Sequence, residues 1–296
     1  MPRMMLATDL DGTLLQPGGS VSERTREALE RAEDAGLLVT FVTGRPPRWL
    51  SPVVHQTGWR GLAVSGNGAV LIDLEKRLVE RTFPIEHDNL RTAVEIIREH
   101  LDGVKFAVES VAPGTAVPVA DPLDARHHGP HSNFGHEPGY LPAVLKLPPN
   151  FQGKAPVEEL VARGNVIKLL ARGKPDDPRD PDETYHLLAQ HLHDVVTVTH
   201  STRDGILLEM SAANVSKASG VAWLAQAHGI DQANVVAIGD MLNDLPMLTW
   251  AGHGYAVANA HQTLIDYAGP SRVVPANTED GVAELIDRLL GSEIAD

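Results

Sequence analysis

Four acidic residues lie in two short segments that could form one site. Asp9 and Asp11 come at the end of an apolar run near the N-terminus, and Asp240 and Asp244 follow a second apolar run late in the chain. If both runs are parallel strands of a doubly wound sheet, their carboxyl ends meet at one crevice. Clustered carboxylates repel one another unless a cation lies among them, and oxygen ligands in a chain without cysteine favour Mg²⁺ over zinc. The pattern therefore predicts a Mg²⁺ site.

The same carboxylates suit phosphoryl transfer. A hard cation neutralises phosphate oxygens while an aspartate oxygen attacks phosphorus in line, which makes Asp9 the candidate nucleophile. Asp11, two residues further on, could protonate the leaving oxygen and then take a proton from the water that hydrolyses the aspartyl phosphate. We therefore predict Mg²⁺-dependent hydrolysis of a small phosphate monoester through an aspartyl-phosphate intermediate.

Two further polar side chains are predicted to hold phosphate oxygens. Thr43 offers a hydroxyl and a backbone N–H at the end of the second predicted strand, and Lys217 lies at the start of a predicted helix. Gly12 and Gly44 would let backbone amides approach the same oxygens, because glycine has no Cβ. These residues complete a predicted phosphate site.

The elements that must position these residues occur at both ends of the chain. Short apolar runs predict buried strands, and the amphipathic segment after the first run predicts a helix that begins with a capping box of Ser20 and Glu23 and ends at Gly36. The predicted strands are Met4–Thr8, Leu37–Val42, Gly61–Ser65, Ala69–Ile72, Val235–Ile238, Tyr255–Val257 and Val273–Val274. We predict an α/β fold with a Rossmann-like, doubly wound parallel sheet at residues 1–83 and 211–296.

The middle of the chain, residues 84–210, has a different pattern. Its helices and strands are grouped as in an inserted α+β domain. Within it, the segment 111–156 is rich in proline and has little periodicity, which predicts a long loop or lid. The histidines of this segment could bind a transition metal, but their spacing in a Pro/Gly-rich loop favours solvated side chains or substrate contacts. They are His127, His128, His131 and His136.

The amino-acid composition narrows the classes of molecule that this protein is expected to bind. The chain has 296 residues, 43% of them hydrophobic, and a formal net charge of −14, which disfavours binding to nucleic acid or an anionic membrane. It contains neither cysteine nor an apolar run long enough to cross a membrane. We expect a soluble, cytoplasmic protein whose partner is a small phosphorylated metabolite, and we leave the oligomeric state open.

Four segments resemble, in order and spacing, the motifs of the haloacid dehalogenase-like phosphatases. They are Asp9-Leu-Asp-Gly-Thr13-Leu14, Thr43-Gly-Arg45, Lys217 and Gly239-Asp240-Met-Leu-Asn243-Asp244. The Gly-Asn67-Gly-Ala segment and the large insert are similar to those of the Cof-type subfamily, which carries a class IIB α+β cap. The resemblance covers the whole chain.

This resemblance implies roles for the individual residues. Asp9 would be the nucleophile and Asp11 the acid/base, while Asp240 would bind Mg²⁺ together with Asp9 and the backbone carbonyl of Asp11. Lys217 would anchor the nucleophile and the phosphate. Asn243 and Asp244 would support the phosphate and the metal, respectively. Relatives of this kind suggest a sugar phosphate as substrate, selected by the cap.

Several residues keep a second interpretation. Asp9 and Asp11, taken alone, could cap a turn or a helix. The catalytic interpretation is favoured only because the segment of Asp240 to Asp244 and Lys217 also occur in the chain. Arg45 could clamp the phosphate or lie on the surface before two prolines. Asn67 could contact substrate or serve the conformation of a Gly-Asn-Gly turn. The sequence leaves the last two open.

Three other functions use the same residues. A phosphomutase or phosphotransferase would pass the phosphoryl group to an acceptor hydroxyl instead of water. A phosphoaccepting signalling module would need no cap, so the insert argues against it. A ligand-binding protein without catalysis would not need the acid/base Asp11.

Overall fold

The chain folds into two compact units. The computed structural model describes residues 3–58, 60–117, 134–140, 153–200 and 205–291. Of these, residues 3–80, 116–117 and 216–291 form the first unit, and the remainder form the second. The divisions after residues 80 and 215 lie close to the expected boundaries after 83 and 210. Within the described ranges, no helix is both long and apolar enough to cross a membrane.

The secondary structure alternates at both ends of the chain. The strands of the described residues are β1 Met5–Asp9, β2 Leu38–Val42, β3 Leu62–Ser65, β4 Val70–Asp73, β5 Leu78–Thr82, β6 Lys105–Ser110, β7 Phe134–His136, β8 Val166–Arg172, β9 Val196–His200, β10 Leu207–Ala212, β11 Val235–Gly239, β12 His253–Val257 and β13 Val273–Val274. The α-helices are α1 Glu23–Asp34, α2 Ser51–Thr57, α3 His87–His100, α4 Val157–Val161, α5 Pro181–Leu192, α6 Lys217–Ala227, α7 Leu245–Trp250, α8 Gln262–Ala268 and α9 Gly281–Gly291.

An eight-stranded sheet organises the first unit, in the order β13-β12-β11-β1-β2-β3-β4-β5. It is parallel from β13 to β3, whereas β4 turns back antiparallel to β3. The central strands are mainly apolar and almost entirely buried, as expected for a parallel sheet covered on both faces. Thr8 pairs with Ile238, and Asp9 pairs with Val42. The residues that follow these strands therefore lie at one edge of the sheet, as predicted.

The first helix begins two residues later than the predicted capping box. Ser22, rather than Ser20, is the N-cap, because its side chain accepts a hydrogen bond from the backbone N–H of Thr25. The backbone carbonyl of Ser20 instead accepts a hydrogen bond from the backbone N–H of Gln16, which closes the loop before the helix. Gly36 follows the helix with a φ of 87°, which agrees with the predicted end.

The second unit is built on a five-stranded sheet in the order β7-β6-β8-β10-β9. All of its pairings are antiparallel, and α3, α4 and α5 share a buried apolar core with it. The predicted loop at 111–156 is wrong at Phe134–His136, which pairs with β6 as the edge strand β7. His136 is buried there and is not a solvated loop residue. His127, His128 and His131 lie outside the described residues.

Two glycines allow α6 to approach the sheet. A Cβ on Gly220 would lie 2.4 Å from Cγ1 of Val64, and a Cβ on Gly68 would lie 2.1 Å from the carbonyl oxygen of Ser216. Gly68 also has a φ of 106°, a conformation that other residues rarely adopt. The helix that begins at Lys217 therefore sits against β3 and the turn after it because neither position carries a side chain.

We expect Gly220→Ala to lower the free energy of unfolding by about 1–3 kcal/mol, since the added methyl overpacks the contact with Val64. Urea unfolding monitored by circular dichroism measures this loss. The matched control is Gly291→Ala, at a helical glycine whose Cβ would meet nothing within 4 Å. Equal stabilities of the two variants would contradict the argument.

Candidate active site

Four polar residues meet where the central strands end. Asp9 is the last residue of β1, Asp240 directly follows β11, and Asp244 immediately precedes α7. Lys217 is the first residue of α6, behind the N-cap Ser216. Parallel strand ends and two helix N-termini thus bring together residues from the beginning and the end of the chain.

Lys217 is the buried cation of this group. Its Nζ lies 2.6 Å from Oδ1 of Asp9 and 2.6 Å from Oδ1 of Asp244, and the residue is only 2% exposed. Burial lowers the pKa of Lys217, but the charges of Asp244 and Asp9 outweigh it and raise the pKa above its ordinary value. The ammonium group therefore remains charged and holds two carboxylates.

Three buried carboxylates lie within reach of one cation. Asp9, Asp240 and Asp244 each offer an oxygen, and these oxygens lie within 4.8 Å of one another. Burial raises the pKa of Asp9 well above its usual range, against the opposing charge of Lys217. Burial and the charge of Asp244 raise the pKa of Asp240 to about 6. One ammonium does not balance three carboxylates, so this all-oxygen donor set fits a hard divalent cation.

Backbone and hydroxyl groups fix the late carboxylates. Oδ2 of Asp244 accepts the N–H groups of Asp240 and Met241 at 3.1 and 3.0 Å. Thr13 donates its hydroxyl to Oδ1 of Asp240 at 3.1 Å. Gly12 has a φ of 82°, and a Cβ there would lie 2.3 Å from Oδ2 of Asp240. A glycine after Asp11 is therefore required for the loop to pass this carboxylate.

Asp11 and Arg45 contact each other. Nε and Nη2 of Arg45 donate to Oδ2 and Oδ1 of Asp11 at 2.7 and 2.5 Å. The Asp11 side chain is 57% exposed and is not part of the buried carboxylate cluster. A cavity of about 380 Å³ opens beside the pair. Neither interpretation of Arg45 anticipated this ion pair, in which the guanidinium binds the candidate acid/base.

Thr43 and Gly44 directly follow β2, but only part of the expected phosphate contact is available. The N–H of Thr43 donates to the carbonyl of Val64 at 2.8 Å, so it is committed to the sheet. Oγ1 of Thr43 accepts the N–H of Arg45 at 3.1 Å. The expectation that this backbone N–H binds phosphate is therefore wrong, and the hydroxyl is the group that Thr43 can offer.

Asn67 and Asn243 also contact each other. Nδ2 of Asn243 donates to Oδ1 of Asn67 at 3.3 Å. Asn67 adopts a left-handed conformation with a φ of 57°, and its Oδ1 would lie 3.0 Å from a Cβ on Gly44. Two residues predicted separately as phosphate ligands therefore form a pair.

Two asparagines that sequence reasoning missed support the loop after β1. Nδ2 of Asn259 donates to the carbonyl of Gly12 at 2.8 Å, and Nδ2 of Asn277 donates to the carbonyl of Leu15 at 2.7 Å. The N–H of Asn277 also donates to Oδ1 of Asn259 at 2.9 Å. Both follow the late strands β12 and β13, so the strand-end argument that identified Asp240 could have found them.

Comparisons with known proteins agree with this geometry. The model of the haloacid dehalogenase-like hydrolase family matches residues 6–286. The 5-amino-6-(5-phospho-D-ribitylamino)uracil phosphatase YwtE of Bacillus subtilis is 28% identical over 307 residues, which cover 98% of this chain and 99% of that protein. The pyridoxal phosphate phosphatase YbhA of Escherichia coli is 27% identical over 292 residues, which cover 97% and 98%.

A solved structure shows that the fold is shared. The structure of a subclass IIB sugar phosphatase of the same superfamily aligns with a TM-score of 0.71 at 20% identity, covering 97% of this chain and 99% of that one. The predicted α/β fold and the predicted hydrolase are confirmed. With the family match spanning both units and all four motif segments, the chain belongs to the haloacid dehalogenase-like hydrolases.

Proposed function

We propose that the protein is a Mg²⁺-dependent phosphatase of small phosphate monoesters, with sugar phosphates as the leading substrate class. Asp9 would attack phosphorus and form an aspartyl phosphate. The observation that carries this proposal is the buried Lys217 bound to Asp9 beside two further carboxylates. Asp9, Asp240 and Asp244 would hold the Mg²⁺ ion, with the Asp11 carbonyl as implied by the family resemblance, and the bound ion would neutralise phosphate oxygens.

The attacking group must be an ionised carboxylate. Burial disfavours ionisation of Asp9, whereas the ammonium group of Lys217 favours it. Because Lys217 binds Oδ1, Oδ2 is the oxygen that we assign to the attack. The hydroxyl of Thr43 and the amide of Asn243 would hold the phosphoryl oxygens.

Asp11 would move the protons. As Oδ2 of Asp9 bonds to phosphorus, the bond to the leaving oxygen breaks and that oxygen takes a proton from Asp11. Asp11 then removes a proton from water, whose oxygen attacks phosphorus, and inorganic phosphate leaves with Asp9 regenerated. Both oxygens of Asp11 accept from Arg45, so Asp11 would carry the proton on a remaining lone pair or after one of these bonds opens.

The names of the relatives support a small phosphorylated metabolite as substrate. The two curated relatives are named for phosphate esters of a ribitylaminouracil and of pyridoxal, and the solved structure is a sugar phosphatase. We assign the choice among such leaving groups to the second unit, since an inserted domain can vary while the catalytic residues stay fixed. Phosphate release from a panel of monoesters, with sugar phosphates first, tests both assignments.

Asp9→Asn should lower kcat for every active substrate of the panel by about 10³-fold or more, because an amide cannot act as the nucleophile. Phosphate release is the measurement. Asp34→Asn, at an exposed position of α1, is the control and should retain wild-type activity. Turnover by the Asp9 variant at the wild-type rate would exclude this nucleophile.

Asp240→Asn should raise the Mg²⁺ concentration that gives half-maximal activity by about 10-fold or more, because one charged ligand is lost. Thermal unfolding gives a readout that needs no turnover. Mg²⁺ should raise the Tm of the wild type and of Asp34→Asn, but should have a smaller effect on the Asp240 variant. An identical Mg²⁺ effect in all three proteins would argue against a cation at this site.

Asp11→Asn should slow hydrolysis of alkyl phosphates by about 10²–10⁴-fold, because their alkoxide leaving groups need a proton. Formation of the aspartyl phosphate from nitrophenyl phosphate should suffer much less, since nitrophenolate leaves unprotonated. Rapid-mixing measurement of nitrophenolate release separates this step from the later attack of water. Equal losses for alkyl and nitrophenyl esters in the first step would remove Asp11 as the acid.

A further inference from the structure

The turn Gly66–Gly68, between β3 and β4, contacts three segments that carry candidate site residues. The N–H of Asn67 donates to the carbonyl of Thr43 at 3.0 Å, and the N–H of Gly66 donates to the carbonyl of Arg45 at 3.0 Å. Oγ of Ser65 donates to the same Arg45 carbonyl at 2.6 Å. The turn is thus attached to the loop that follows β2.

The same turn touches the segments around Lys217 and Asn243. A Cβ on Gly68 would lie 2.1 Å from the carbonyl oxygen of Ser216, directly before Lys217. Asn67 reaches the loop after β11 through its hydrogen bond to Asn243. The backbone of Asn67 therefore contacts the segment of Thr43 to Arg45, and its side chain contacts the segment that carries Asn243. The neighbouring Gly68 packs against Ser216, directly before Lys217.

Asn67 is buried, and its side chain accepts a hydrogen bond. It is 5% exposed, and its Oδ1 lies between Gly44 and Nδ2 of Asn243. Its left-handed backbone conformation is one that asparagine tolerates better than most residues do. A Cβ on Gly44 would lie 3.0 Å from Oδ1 of Asn67, so the glycine leaves the space that this side chain occupies.

Asn67 gives Asn243 a hydrogen-bond acceptor. A side-chain amide has two N–H groups in one plane, so directing one of them at Oδ1 of Asn67 fixes the direction of the other. An anion such as phosphate requires a donor, and the second N–H of Asn243 can supply one. The contact orients the donor before any anion binds.

We propose that Asn67 is a positioning residue, which orients the amide of Asn243 for the phosphoryl group and does not bind that group itself. This inference rests on the proposed phosphatase function. It replaces the earlier expectation that both asparagines are separate phosphate ligands.

A double-mutant cycle tests the proposal. The variants are Asn67→Gly, which allows the left-handed backbone and removes the side chain, Asn243→Ala, and the combination of the two. Each single change should raise KM for the best monoester by about 10-fold, as expected for one lost hydrogen bond to an anion. The double variant should be no more than about twofold worse than the poorer single variant, because both changes remove the same interaction.

Asn214→Gly is the matched control. Asn214 also has a positive φ, of 63°, but it is exposed and lies in the second unit. It should leave KM unchanged. Urea unfolding of all variants separates a loss of folded protein from a change in phosphate binding.

Calorimetric titration with inorganic phosphate, with Mg²⁺ present, repeats the cycle without turnover. Coupled losses support the proposal, even if Asp9→Asn shows that the hydrolytic mechanism is wrong. Multiplied losses, of about 100-fold in the double variant, would mean that the two asparagines act independently and would overturn it. An Asn67→Gly variant that binds phosphate as the wild type does would overturn it as well.

Discussion

One buried ammonium group, shared by two carboxylates, sets the conditions for the rest of the site. Lys217 is 2% exposed and lies 2.6 Å from both Asp9 and Asp244, so water can replace neither contact. Removing one partner from such an arrangement leaves a buried charge uncompensated, which is strongly destabilising. The start of α6 must therefore stay at the edge of the sheet. The close approaches at Gly68 and Gly220 make that possible, and they connect the packing of α6 with the charge of the Asp9 carboxylate.

Charge also decides how this acidic protein can accept an anion. Three carboxylates and one ammonium leave the cluster negative, and the whole chain carries a formal charge of −14. A phosphate ester that approached this cluster alone would be repelled. A divalent cation bound there would reverse the local sign, and the binding of the metal and of an anionic substrate would then depend on each other.

Sequence reasoning located Asp9, Lys217 and Asp240 because strand ends and helix starts obey simple geometric rules. It failed where the outcome depends on tertiary detail. Ser20 and Ser22 are both plausible N-caps, and only the loop that uses the carbonyl of Ser20 decides between them. Strand β7 has three residues, too few for any periodicity to be visible among prolines and histidines.

Sequence reasoning also missed two pairings between polar side chains. The contacts Arg45–Asp11 and Asn67–Asn243 depend on rotamers and on loops from distant parts of the chain.

The ion pairs made by Lys217 and by Arg45 differ in their exposure to solvent. Lys217 is enclosed, whereas Asp11 is 57% exposed beside Arg45, and so dissolved ions reach one pair and not the other. Higher ionic strength therefore weakens the ion pair between Arg45 and Asp11 and leaves the contacts of Lys217 with Asp9 and Asp244 unchanged.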